Sequence, residues 1–180
     1  MNNRLIQKLK KIKLIISDVD GVLTDGSIYI GSNGEEMKKF SVEDGAGVAL
    51  ARASGLIIAL LSGRFSSATD IRAKELKIED IYNGMLNKIP AYEELKRKYN
   101  LEDSEIVYIG DGLIDIPVME KAGIPVSVKN AHPTAKATAV YVTDKSGGSG
   151  ALQETIELVL KAQNQYDDAI NKMREKVLNL

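Results

Sequence analysis

The run Asp18-Val-Asp20-Gly21-Val-Leu-Thr24-Asp25-Gly26 follows directly on the mostly apolar stretch Ile12-Lys-Leu-Ile-Ile-Ser17. A buried strand that ends in two carboxylates one residue apart, followed by a glycine turn, aims acidic oxygens out of the carboxyl edge of a sheet. That edge is where open α/β sheets do chemistry. In an extended chain residues i and i+2 share a face, so Asp18 and Asp20 are expected to converge on one substrate group. One could serve as nucleophile and the other as acid and base. Toward phosphorus a carboxylate forms an acyl phosphate, which splits one hard hydrolysis into two easier displacements. The second carboxyl would protonate the departing alcohol and then deprotonate the attacking water. Taken alone, Asp-x-Asp after a strand is also an ordinary loop, because Asp is favoured in turns.

Three further constellations sit in equivalent places. Leu56-Ile-Ile-Ala-Leu-Leu61 reads as a buried parallel strand and stops at Ser62-Gly63-Arg64, where a hydroxyl, a bare amide and a guanidinium suit phosphate oxygens. Glu105-Ile-Val-Tyr-Ile109 is another such strand, ending in Gly110-Asp111-Gly112-Leu-Ile-Asp115. Asp111 and Asp115, one helical turn apart, can face the same point. Between them Asn83-Gly84-Met-Leu-Asn87-Lys88-Ile-Pro90 leads into a helix expected over Ala91 to Tyr99. Lys88 at its start is a cation badly placed for the helix dipole unless an anion lies nearby. All four groups are expected on the carboxyl edge of one sheet.

In these motifs the chain resembles the haloacid dehalogenase superfamily of phosphotransferases. The likeness narrows to the capless 3-deoxy-D-manno-octulosonate 8-phosphate phosphatases. Stretches such as Asp44-Gly45-Ala-Gly47, Ala131-His132-Pro133, Tyr141-Val-Thr143 and Gly147-Gly148-Ser-Gly150-Ala151 extend it over nearly the whole chain. The resemblance implies Asp18 as nucleophile and Asp20 as general acid and base. It implies Mg²⁺ held by the Asp18 carboxylate, the Asp20 main-chain carbonyl and the Asp111 carboxylate, with Asp115 in support. Phosphate and substrate binding would fall to Ser62, Gly63, Arg64 and Lys88. Mg²⁺ and Lys88 together would offset the repulsion between phosphoryl group and nucleophile. Two positions depart from the pattern: Gly112 stands where relatives carry a second Asp, and Gln153 where they carry an Arg that helps organise a neighbouring subunit's site.

The elements that must position these residues form an α/β pattern. Strand-like and helix-like runs alternate, which argues for a Rossmann-like parallel sheet with helices on both faces. Residues 27–40 read as a β-hairpin flap, Ser27 to Ile30 and Glu36 to Phe40 flanking Gly31-Ser-Asn-Gly34. Helices are expected at about Gly45 to Ser54 and Ser66 to Lys77, and strands near Asp80 to Tyr82, Pro125 to Val128 and Ala139 to Val142. From Asp25 to Asp44 there is room only for the hairpin, and from Ser62 to Lys88 only for a helix and a short strand, so no cap domain fits. A capless site must exclude wrong substrates another way, most simply with a neighbouring subunit. Ile28, Ile30, Met37 and Phe40 on the hairpin suit such an assembly, and relatives of this kind are homotetramers.

Residues 1–180 are expected to form a single domain: the chain is 44% apolar with a formal charge of −1. That charge offers no basic field to nucleic acid. The apolar runs are too short to cross a bilayer, and the basic segment Met1 to Lys13, read as a solvated helical arm, lacks a signal-like core. The absence of cysteine excludes disulfides and thiolate catalysis and fits a cytoplasmic enzyme. Residues 144–180 read as a flexible glycine-rich linker and one long helix from Ala151 to Leu180. His132 reads as a loop or cap residue, and Tyr29 and Tyr82 as packing residues. The expected activity is Mg²⁺-dependent hydrolysis of 3-deoxy-D-manno-octulosonate 8-phosphate through an aspartyl phosphate. A nonulosonate 9-phosphate phosphatase and a catalytically weak oligomerisation or regulatory module are the alternatives; a phosphomutase is disfavoured because no cap would shield the intermediate.

Overall fold

A computed structural model describes residues 3–178. The expected ends of two helices, Met1 and Asn2 and then Asn179 and Leu180, lie outside the described residues, as does the side chain of Val177. Six parallel strands form the main sheet in the order β5 (Asp80–Asn83), β4 (Ile57–Ser62), β1 (Leu14–Ser17), β6 (Ile106–Gly110), β7 (Ile124–Ser127), β8 (Tyr141–Val142). Strands β1, β6 and β7 are buried at every position, as expected of runs of Ile and Val covered on both faces. The helices include α2 (Val42–Ser54), α3 (Ser67–Leu76), α4 (Ile89–Tyr99), α5 (Ile116–Met119) and α6 (Pro133–Thr138).

Strand order sets the place of the site. After β1 the chain adds β4 and β5 on one side, then crosses to lay β6 on the other, so order reverses beside β1. Ser17 is level with Leu60 of β4 and with Ile109 of β6. Asp18, one residue beyond Ser17, and Asp111, two beyond Ile109, therefore leave the same end of the sheet side by side. The hairpin forms from short antiparallel strands β2 (Tyr29–Ile30) and β3 (Glu36–Met37), and no other segment among the described residues offers a cap.

Four expectations are corrected. The N-terminal arm is not a solvated helix: helix α1 (Asn3–Leu9) buries Leu9, and Leu5 packs on the core. The expected long C-terminal helix is two, α7 (Ala151–Ala162) and α8 (Tyr166–Leu178), broken where Asn164 adopts φ +57°. The break has a function, because Gln163 turns its amide to the carbonyls of Leu9 and Ile12 and ties α1 down.

The glycine-rich tail is not a loose linker. Asp144 and Lys145 donate their N–H groups to Glu154, Gly147 donates to Asn130 Oδ1, and Gly148 donates to the Val22 carbonyl. It lies against the Gly21–Asp25 turn of its own chain so closely that only bare glycine fits. Tyr29 is exposed on the hairpin rather than packed, whereas Tyr82 packs against the core and His132 caps α6 through Nδ1.

Candidate active site

Lys88 organises the centre. It precedes α4, and its side chain is fully buried, a position an ammonium tolerates only when paired. Its Nζ lies 2.7 Å from Asp18 Oδ1 and 2.7 Å from Asp115 Oδ1, and donates to the Tyr108 hydroxyl at 3.1 Å. Burial works to lower its pKa, but the carboxylates of Asp18 and Asp115 outweigh that and hold it above the usual lysine value. The anion needed beside this helix start is thus supplied by the protein itself.

Asp115 serves as the hub rather than as an open ligand. Its Oδ1 accepts from Lys88 and, at 2.6 Å, from Tyr108; its Oδ2 accepts from the backbone N–H groups of Asp111 and Gly112. Four donors fill the carboxylate and fix the turn that carries Asp111. Asp111 in turn lies across Gly21, where a Cβ would come within 2.1 Å of Asp111 Oδ2. The φ of Gly21 is also +89°, so this position needs glycine twice over.

Asp18 is buried, with Oδ1 taking the Val19 N–H at 2.7 Å and the Lys88 ammonium. Burial pushes its carboxyl up to about 8, against the pull of Lys88; burial followed by the charge of Asp115 pushes Asp111 up to about 6. Carboxylate oxygens of Asp18, Asp111 and Asp115 lie within 4.8 Å of one another. Three carboxylates face one lysine, so the centre carries more negative charge than the protein compensates. A divalent cation with a preference for hard oxygens fits that donor set.

Asp20 does not converge with Asp18 through strand geometry. The chain turns at once, with the N–H groups of Val22, Leu23 and Thr24 all bonding back to the Val19 carbonyl, so the i, i+2 rule fails here. Thr24 Oγ1 accepts from Gly21 and Gly26 and holds that turn. Asp20 Oδ1 instead meets Lys38 Nζ at 2.6 Å, and its Oδ2 is buried without a partner. Ser62 is buried and donates to the Arg64 carbonyl at 2.8 Å. Arg64 pairs with Glu36 of the hairpin, and Gly63 keeps the loop clear of Ile114, which a Cβ would meet at 2.7 Å.

All four sequence constellations therefore border one carboxyl edge. Lys38, Glu36 and Tyr108 were not singled out from sequence, and only the alternation of Glu36, Met37 and Lys38 along an expected strand hinted at two of them. A cavity of about 1060 Å³ opens elsewhere, between Lys10–Lys13, Gly55–Ile57 and Gln163–Gln165, and includes none of these groups.

The chain is similar to known proteins over most of its length. The family model described as haloacid dehalogenase-like hydrolase matches residues 56–154. The chain is 44% identical over 165 residues to the 3-deoxy-D-manno-octulosonate 8-phosphate phosphatase KdsC of Escherichia coli K12, covering 92% of this chain and 88% of that protein. Among solved structures, a subfamily III A hydrolase of the same superfamily from Legionella pneumophila superposes with a TM-score of 0.94 at 40% identity, covering 96% of this chain and 95% of that one. The 3-deoxy-D-manno-octulosonate 8-phosphate phosphatase of Moraxella catarrhalis, solved with magnesium, phosphate and KDO, superposes with a TM-score of 0.91 at 44% identity, covering 95% and 98%.

Proposed function

We propose that this chain, which belongs to the haloacid dehalogenase-like hydrolase family, hydrolyses 3-deoxy-D-manno-octulosonate 8-phosphate to the free sugar acid and phosphate. It is a Mg²⁺-dependent phosphoric monoester hydrolase. The observation that carries the mechanism is the buried Lys88 held between Asp18 and Asp115, beside Asp111.

Asp18 attacks phosphorus, the bond from phosphorus to the sugar oxygen breaks, and that oxygen takes a proton from Asp20. Water then attacks the aspartyl phosphate, its proton passes to Asp20, and the bond from phosphorus to Asp18 breaks, releasing phosphate and restoring both carboxyl groups. Lys88 holds Asp18 in place and offsets charge on the phosphoryl oxygens, which Ser62, Gly63 and Arg64 flank. Asp18, Asp111 and the Asp20 carbonyl would hold Mg²⁺, which when bound neutralises phosphoryl charge and polarises its oxygens.

We infer a homotetramer that supplies the missing cover. Ile28, Ile30 and Met37 on the hairpin, with Phe65, Leu86 and Leu113 from the loops around the site, are exposed apolar residues at one rim. No helix among the described residues is long and apolar enough to cross a membrane, and the cysteine-free composition suits a cytoplasmic enzyme.

The test is phosphate release from a panel of sugar-acid phosphates with and without Mg²⁺, for wild type and Asp18→Asn. Mg²⁺-dependent release that is greatest on the octulosonate ester and lost in the variant is the expected result. Failure on every sugar-acid ester, or substantial turnover by Asp18→Asn, would refute the reading.

A further inference from the structure

Along β3 and beyond, Glu35, Met37 and Lys39 are exposed while Glu36, Lys38 and Phe40 turn inward, so the hidden face carries two charged side chains. The Lys38 side chain is only 3% exposed. Desolvating an ammonium is costly unless partners compensate, so the strand's register is set by what Lys38 meets. It meets Asp20 Oδ1 at 2.6 Å, Thr69 Oγ1 of α3 at 3.4 Å and Glu36 Oε1 at 4.0 Å. Glu36 continues the chain of charges to Arg64, in the loop after β4.

A carboxylate has two oxygens, and free rotation would present either one. Lys38 occupies Oδ1 of Asp20, whereas Oδ2 is buried with no protein partner. We propose that Lys38 is a positioning residue that fixes the rotation of the Asp20 carboxyl, and with it the geometry in which Asp20 exchanges protons with the leaving alcohol and the attacking water. Thr69 fixes the ammonium from the side of α3, and the Glu36–Arg64 pair fixes the strand that carries it. The hairpin then has an inner task in its own subunit, distinct from any contact its outer face makes. This role rests on Asp20 being the acid and base.

A misplaced proton donor is felt only where a proton is needed. A sugar alkoxide is a poor leaving group and requires protonation, whereas p-nitrophenolate leaves without it near neutral pH. The experiment measures kcat/KM, which reports the first displacement, on the octulosonate ester and on p-nitrophenyl phosphate for wild type, Lys38→Met, Lys38→Arg and Asp20→Asn. Lys38→Met is expected to lower kcat/KM on the sugar ester by about a hundredfold, within the range general-acid catalysis contributes. On the nitrophenyl ester its loss should be at least about tenfold smaller. Lys38→Arg, which keeps a cation, restores most of the difference. Adding Lys38→Met to Asp20→Asn costs little more, because both act through one carboxyl. Lys38→Gln keeps polar bulk and shows the same pattern if methionine is not accommodated.

Equal losses on both esters in Lys38→Met, or a change confined to KM, overturn the positioning role. If Asp20→Asn discriminates between the esters and the Lys38 variants do not, the positioning role falls and the acid–base reading stands. If Asp20→Asn itself fails to discriminate, the acid–base reading falls and takes the proposal with it.

Discussion

Gly147→Ala isolates the contact that holds the glycine-rich tail to the catalytic turn. Gly147 is not among the glycines with positive φ, so alanine meets no conformational barrier there and any cost arises from the fold. An added Cβ would stand 1.7 Å from the Gly21 carbonyl oxygen, 2.6 Å from its carbon and 2.9 Å from the Thr24 carbonyl oxygen. All three atoms are backbone, and none can rotate away. Opening the first contact from 1.7 Å to 3.0 Å, the shortest separation real Cβ atoms show, requires a shift of 1.3 Å. Overpacking of this kind costs about 1–3 kcal/mol. For a chain of this size the melting temperature should fall by roughly 2–12 °C. Gly21 follows Asp20 directly and lies beneath Asp111, so the shift reaches the reacting groups. Misplacement of about 1 Å there lowers turnover by about a hundredfold. Thermal unfolding and steady-state kinetics on the same preparation measure both effects. A variant with wild-type melting and wild-type kcat would show that the tail leaves Gly21 in solution. A lowered melting temperature with intact kcat would show that the tail, not the catalytic turn, absorbs the shift, and would refute the coupling.

Three other substitutions test separate parts of the reasoning. Gly112 has φ −115° and an added Cβ would lie 3.8 Å from Asp115 Oδ2, so Gly112→Asp is accommodated and should lower the Mg²⁺ concentration for half-maximal rate severalfold; an unchanged metal titration counts against it. Tyr108→Phe removes the donor to Asp115 and the acceptor for Lys88, which should cost about 1–3 kcal/mol in urea unfolding and about tenfold in kcat, and unaltered values of both would deny Tyr108 its bracing role. Burial pushes the Asp44 carboxyl from 3.8 up to about 6, although the Gln153 N–H at the start of α7 favours its charge. The folded state therefore holds this proton more tightly than the unfolded chain, and the associated stability is present below about pH 4 and lost as pH rises through about 6. The loss amounts to roughly 3 kcal/mol at about 1.4 kcal/mol per pH unit, so Asp44→Asn should gain on wild type by that order between about pH 4 and pH 7 in denaturant unfolding. A stability difference independent of pH would contradict it.

The order of strands and helices was legible because its signals are local. Leu56 to Leu61 and Glu105 to Ile109 are apolar runs of strand length, and the observed β4 and β6 differ from them by only a residue at their ends. Parallel strands point their carboxyl ends the same way, so Asp18, Ser62, Lys88 and Asp111 could be assigned to one edge before any contact was known. The missing cap was equally plain, as a gap of too few residues. The break between α7 and α8 was not, because the apolar spacing continues through Gln163 while a single left-handed Asn164 redirects the chain.

Tertiary structure decided whatever depended on a partner distant in sequence. Asp20 and Lys38 are 18 residues apart, Lys88 and Asp115 are 27 apart, and no periodicity of 2 or 3.6 links such pairs. Tyr108 looked like one more apolar strand residue until its hydroxyl was seen to meet Lys88 and Asp115. Composition marks Gly147-Gly148 as flexible, yet the same absence of a side chain lets that backbone lie against Gly21 and Thr24. Glycine permits mobility and close approach alike, and only the neighbouring backbone determines which one the chain adopts.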